Sequence, residues 1–389
     1  MIMVGKVFIA LIWSFWLLAS GSIADGVEMS PHDHSKMSIE ERRTVQKKWK
    51  EEEEKPKPEY NPTYSSTFNR VIERGYVVCG TNDEFPGFSQ EIWNHEDGSK
   101  WVGFDVDICR AVAAAVFGHA DDIEFTVVNG KTRFEFLIDG SIDILSAATT
   151  FTYTRNIVKK LEFLPTTYYD GQGFIVRKTL GVSSAKQMEG ARICFSGSGT
   201  AAKNIADFME LHGINYIPVA VKPTEKTKNV YKRGDCDMYG TDRSGLASNR
   251  LSFNDPARHM ILPEIISKEP LGPVVKYGDQ KWSDIVRWTV YVLFIAEEMG
   301  INSKNIDTFK NNIDPNIQRF MGEKNGKDHP HLGAKLGLPA TWSYDIIKQV
   351  GNYKEIYERN VGPDTPIGLQ RGLNQLYSHG GLLYAPPLK

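Results

Sequence analysis

At 389 residues the chain is too long for one compact core and suits two domains of ordinary size. Hydrophobic residues make up 41% and charged residues 24%, a globular balance, and the formal net charge of -2 provides no basic field of the kind that holds nucleic acid. No local stretch of interleaved basic and aromatic residues supplies one, so nucleic acid is not expected as a partner.

The first residues carry one cation, Lys6, then an apolar run from Val7 to Ala19, then the small residues Ser22 and Ala24 before Asp25. This pattern predicts a secretory signal over 1–24, cut after Ala24. The apolar run is too short for a membrane anchor, which needs roughly 20 residues. No cysteine follows it, so a soluble periplasmic protein is expected rather than a lipoprotein. Residues 25–65 are charge-dense and poor in apolar residues, ending in KPKPEYNP, and read as a charged flexible segment. The triplet His32, Asp33, His34 reads as part of that solvated tail; no metal or cofactor is expected.

From Phe68 the chain alternates short apolar runs with helical patterns. YVVCGT (76–81) is a buried strand, and Asp105 reads as the cap of a helix whose stripe is Val106, Cys109, Val112, Ala113 and Val116, stopped by Gly118. IEFTVV is the next strand, KTRFEFLIDG a helix ended by Gly140, and IDILSA a third strand. The rhythm restarts after Gly173: RICFSG a strand, GTAAKNIADFMELHG a helix with Ile205, Phe208 and Met209 on one face, YIPVAV a strand, a helix to Gly234, and DMYGT a strand. This is α/β architecture built twice, which implies an interdomain cleft suited to a small ligand. Ile285–Ala296 reads as a buried helix, and the C-terminal region as mainly helical with a Pro/Gly-rich end.

The four cysteines fall two and two into these units, which favours Cys79–Cys109 and Cys194–Cys236 among three pairings in an oxidising compartment. Their spacings fit no zinc or CxxC redox motif.

Three segments carry chemistry. SAATTFTYTR sets hydroxyls, Thr150 among them, and the fork of Arg155 just after a strand, where ligands of α/β sheets sit. Arg155 matches a carboxylate bidentately, although the same residues also suit a helix cap with a surface arginine. SGSGTAA (196–202) lies between strand and helix and offers free backbone N–H groups to an anion. Its glycines satisfy GxGxxA, but the next strand lacks the ribose-binding acid of a dinucleotide site, and GK[ST] of a phosphate loop is missing. GTDRSG ends a strand with Asp242, a partner for an ammonium group or an ordinary helix cap. Together they describe a receptor for a zwitterionic amino acid. No Ser/His/Asp set or zinc-enzyme signature is present.

With these residues in place, the sequence resembles the amino-acid solute-binding proteins of ABC importers, in particular the general L-amino-acid-binding proteins. The resemblance runs from about residue 66 to the end through WVGFDVDICRAVAAAV, YYDGQGF, GVSSAKQMEGARICF, LPEIISKEPLGPVV, WSDIVRW and GNYKEIYERNVGPDTPIGLQRGLNQLY. It implies a two-lobed type-II periplasmic-binding fold with ligand in the cleft. The crossings would lie near Gly173–Arg177 and Glu269–Val275, with lobe one formed by 66–172 and 275–389 and lobe two by 173–274. By position it implies that Arg155 and Thr150, with Gly199 and Thr200 from lobe two, bind the ligand carboxylate. Asp242 and the carbonyl of Ala148 would bind the ammonium, and Phe85 and Asn82 would line the side-chain end. Two departures touch specificity: the loop NDEFPGF adds Asp83 and Glu84, and SGSGTAA replaces a threonine-richer loop.

The resemblance further implies a monomer that closes on a free L-amino acid, with breadth among side chains and a polar preference, and delivers it to inner-membrane ABC permease subunits. Closure about a ligand is a general property of periplasmic binding proteins. The rival reading is an exported enzyme on the same fold, like cyclohexadienyl dehydratase, for which Asp83 and Glu84 are the available acids. A receptor sensor domain would need a membrane span and signalling domain that the sequence does not display.

Overall fold

The computed structural model describes residues 66–94, 98–197, 199–222, 225–323 and 331–389. The expected signal, the charged segment with His32–His34, and Ser198 of the SGSGTAA loop lie outside these residues.

Two five-stranded sheets organise the chain. The first has the order β5-β1-β6-β15-β7, from β1 (Val77–Thr81), β5 (Ile123–Val127), β6 (Ile144–Leu145), β7 (Leu161–Phe163) and β15 (Val274–Lys276). Its interior strand β1 is buried at every position and runs parallel to both β5 and β6, which explains an unbroken apolar run in place of alternation. The helix Phe104–Phe117 covers it with alanines and valines and ends at Gly118, φ 78°. Asp105 does not cap this helix. Gly103 is the N-cap at φ 133°, where a Cβ would lie 2.3 Å from the Phe88 carbonyl oxygen, so only glycine fits. The buried Asp105 carboxylate instead accepts from Ser146 Oγ at 2.8 Å and from the Ala148 N–H at 2.9 Å, bracing the segment that follows β6.

The second sheet has the order β11-β10-β12-β9-β13, from β9 (Gln172–Arg177), β10 (Ala191–Ser196), β11 (Tyr216–Val221), β12 (Met238–Asp242) and β13 (His259–Ile261). It has its own apolar core, in which Ile205 and Met209 of the helix Ala201–Leu211 pack on Phe174, Ile193 and Met238. A short antiparallel sheet of β2 (Glu84–Phe85), β3 (Ser89–Asn94) and β4 (Gly98–Val102) projects from the first side.

The chain crosses between the sheets on two paired strands, β8 (Tyr168–Asp170) and β14 (Glu269–Leu271), antiparallel with Asp170 opposite Glu269. The first crossing therefore precedes the expected Gly173–Arg177, because Gln172–Arg177 is already committed to pairing with β12 and β13. After β15 the helix Gln280–Glu298 returns to the first side. Trp282 is fully buried there and donates from Nε1 to the Asp143 carbonyl at 2.8 Å. Among the described residues no helix is long and apolar enough to cross a membrane.

Disulfides join Cys79 to Cys109 and Cys194 to Cys236, each tying an interior strand to a segment packed against it. Their sequence separations of 30 and 42 correspond to roughly 3–4 kcal/mol apiece in the chain-entropy account. Neither bond spans the crossing strands.

Candidate functional site

A cavity of about 350 Å³ opens between the loops of the two sheets. From the first side it is lined by Asn82 and Phe85 and by Ala147 and Ala148; from the second side come Thr241 and Asp242. Phe85 stacks on Phe88 with ring centroids 4.6 Å apart, which fixes an apolar wall. Ala148 stands at φ 43°, a left-handed backbone that L-residues rarely adopt, and its N–H is held by Asp105.

Asp242 ends β12 and stands at the N-cap of the helix Arg243–Arg250, yet its side chain makes no capping hydrogen bond. Burial pushes its carboxyl well above the usual range, and the neighbouring Asp170 and Glu269 push it further, against the pull of Arg155 and Arg133. Asp170 is likewise raised by burial, to about 6, although Ser244 and Gly171 donate to it. Glu269 is 1% exposed and accepts from Asn204 Nδ2 at 2.7 Å and Ser267 Oγ at 2.6 Å. Three carboxylates thus gather where the crossing strands meet the cleft.

Two cations face them. Arg155 is 7% exposed and donates from Nη1 to the Thr150 carbonyl at 2.6 Å. Its burial lowers its basicity, offset by Glu269 and Asp242. The second is Arg133, at the start of the helix Arg133–Asp139, which lines the cavity. Burial and the Arg155 charge lower it to about 9 despite Asp242. Its Nε is buried without a hydrogen-bond partner, and its guanidinium makes a long hydrogen bond, 3.4 Å, from Nη1 to Thr149 Oγ1.

Of the residues singled out in the sequence, Asn82, Phe85, Ala148 and Asp242 line this cavity, and Arg155 is coupled to it through the Asp242 charge. Thr150, Gly199 and Thr200 do not line it. Thr150 is buried in a bridge to Leu271. Thr200 begins the helix Ala201–Leu211 without capping it, and its hydroxyl lies 3.4 Å from Glu269 Oε2. Sequence reasoning missed Arg133, Asp170 and Glu269. The motif YYDGQGF, which sets Asp170 beside a glycine just before the second α/β unit, is the signal in the sequence that marks it.

The extra acids of NDEFPGF are committed across the mouth. Lys226 lies 2.8 Å from Glu84 and 3.6 Å from Asp83, and Lys228 lies 3.3 Å from Glu84. The hydrogen bond from Lys226, opposed by partial burial, keeps Glu84 below the ordinary carboxylate range. Ser248 Oγ adds a bond to the Pro86 carbonyl at 2.9 Å, so the two sides touch through both charge and hydrogen bonding.

Two α/β lobes on paired crossing strands, with a polar cavity between them and opposed charges in its walls, define a protein that captures a small solute. The family model described as bacterial extracellular solute-binding proteins, family 3, matches residues 77–363, and the chain belongs to that family. The general L-amino acid-binding periplasmic protein AapJ of Rhizobium johnstonii is 46% identical over 325 residues, covering 84% of this chain and 93% of that one. The glutamate/glutamine/aspartate/asparagine-binding protein BztA of Rhodobacter capsulatus is 43% identical over 326 residues, covering 84% and 94%. A solved ABC transporter periplasmic binding protein from Brucella ovis with glutathione bound is 41% identical, with a TM-score of 0.79, and covers 84% of this chain and 100% of that one.

Proposed function

We propose that this protein is the extracytoplasmic receptor of an ABC importer for free L-amino acids, acting in the periplasm as a monomer that presents its closed form to the permease subunits. The observation that carries this reading is that Asp242, from the second lobe, lines the cavity while the buried Arg155, from the first, lies close enough for the two charges to influence each other. An α-carboxylate on Arg155 and an α-ammonium on Asp242 would bridge the lobes, so that binding and closure become one event. Each buried charge then has a partner, which is the condition for tolerating its burial. In this reading Thr150, Gly199 and Thr200 complete the carboxylate seat and the Ala148 carbonyl the ammonium seat. The names of the relatives support the same assignment.

Arg133 gives the polar preference a physical basis. Its guanidinium lines the cavity with one long hydrogen bond of its own and so favours a ligand side chain that ends in a carboxylate or a carboxamide. The dehydratase-like reading is less well served: Glu84, held ionised by lysine, is a poor proton donor at neutral pH.

Calorimetry of the unliganded protein against the twenty L-amino acids and glutathione tests the assignment, with a cyclic dienyl amino acid included to detect turnover. The expected result is binding of several amino acids led by glutamate, glutamine, aspartate and asparagine. Tight binding of a solute lacking an α-amino group would overturn it. Arg133→Ala is expected to weaken L-glutamate by about tenfold to a hundredfold while changing L-alanine little, since a charged hydrogen bond contributes about 1.5–3 kcal/mol. An equal loss for both ligands would place Arg133 outside the side-chain end.

A further inference from the structure

The family match ends at residue 363, and the segment that follows returns to the crossing strands. In the β8–β14 pair, Tyr169 stands opposite Pro270. Proline has no N–H to give, and the Pro270 carbonyl accepts instead from the Phe151 N–H at 2.8 Å. Tyr169 correspondingly turns its backbone outward, and both groups are met by one side chain. Asn374 Oδ1 accepts from the Tyr169 N–H at 2.6 Å, and Asn374 Nδ2 donates to the Tyr169 carbonyl at 3.1 Å. The carboxamide thus does for the edge of β8 what a third strand would do.

Asn374 is itself immobilised. It is 3% exposed, and its carbonyl accepts from Arg371 Nε at 3.0 Å and Nη2 at 2.8 Å. The rest of that guanidinium forms a buried two-point pair with Glu297 of the helix Gln280–Glu298, at 2.6 and 3.1 Å. Its plane also lies 5.1 Å from the centroid of the Tyr353 ring. The path Glu297–Arg371–Asn374–Tyr169 therefore runs from the rigid core of the first lobe to the middle of a crossing strand. The next residues, Asp170 to Gln172, lead into the second sheet, where Gln172 pairs with Asp242.

We propose that the segment from Arg371 to Leu383 is a strap, and that Asn374 is a positioning residue for the hinge. It fixes Tyr169 to the first lobe, so bending is confined to Asp170–Gln172, directly beside the carboxylates of the cleft. Closure is then transmitted to Asp170 and Asp242 instead of being lost in flexing of the whole strand. The link to ligand capture rests on the amino-acid-receptor reading above; the mechanical role of Asn374 does not.

Hydrogen exchange on the ligand-free, full-length protein tests the mechanical part. In Asn374→Ala, which loses both side-chain hydrogen bonds to Tyr169, amides at 167–171 are expected to exchange about tenfold faster or more, while those of β1 and β10 keep the parent rate. Asn374→Asp retains the acceptor for the Tyr169 N–H and is expected to fall between. Unchanged exchange at 167–171, or a uniform rise throughout the protein, would overturn the strap. Stopped-flow tryptophan fluorescence with L-glutamine tests the consequence: Asn374→Ala should release the ligand faster, with association within about twofold of the parent. A parent protein that binds no amino acid would defeat the receptor reading and leave the exchange result to decide the strap.

Discussion

Arg155→Ala is expected to abolish measurable amino-acid binding while leaving the two lobes folded. Arg155 is nearly buried, and its charge is balanced in the cavity region by Glu269 and Asp242. Removing one side of a buried charge pair costs about 3–5 kcal/mol, or roughly a hundredfold to a few thousandfold in affinity. The loss has two parts: the ligand carboxylate loses its bidentate partner, and three carboxylates are left facing each other with only Arg133 to oppose them. Arg155→Lys keeps the charge but not the planar fork, and should recover only part of the affinity. Retained disulfides and an unchanged circular dichroism spectrum would show that folding is intact. Binding by Arg155→Ala within tenfold of the parent would sink the carboxylate assignment.

The parts of the fold that were legible in the sequence are those decided locally. The apolar run of β1 and the Gly118 and Gly140 stops are set by burial on both faces and by backbone freedom, so residue pattern and structure coincide. Asp105 was misread because an acid in the first turn of a helix looks like a cap. The long-range bonds to Ser146 and Ala148 that claim it are invisible to local pattern. Arg133 is hidden for the related reason that KTRFEFLIDG reads simply as a helix ended by Gly140, and its place in a cavity wall beside Asp242 of the other lobe depends on long-range packing. Asp170 and Glu269 belong to the crossing strands, whose pairing joins residues about a hundred positions apart. Asp242 was accessible because it ends a strand, where α/β sheets place ligands, whereas Asn82, Phe85 and Ala148 came only from the resemblance to the amino-acid-binding proteins.

Asp242 should make binding release a proton. In the ligand-free protein, burial and then Asp170 and Glu269 hold its carboxyl well above the ordinary range, while Asp170 itself is raised by burial to about 6. An ammonium group needs the ionised form, so its arrival drives the proton out. Affinity is therefore expected to rise with pH above the ordinary carboxylate range, until the ligand ammonium begins to deprotonate. The stability of the empty protein should run the other way. A carboxyl whose folded value is raised contributes stability that is fully present below its unfolded value, ordinarily 3.8, and is lost as pH rises through about 6. Ligand should then raise the melting temperature more at pH 8 than at pH 5. Calorimetry in buffers of different ionisation enthalpy reads the proton directly, and the parent should release protons to the buffer on binding, less so as the pH is raised. Asp242→Asn removes the titrating group but keeps an acceptor oxygen, so it should weaken binding by about tenfold or more at pH 7.5, less than Arg155→Ala, and flatten the pH dependence. Buffer-independent binding heats in the parent, or a pH profile unchanged in Asp242→Asn, would remove Asp242 from the ammonium seat.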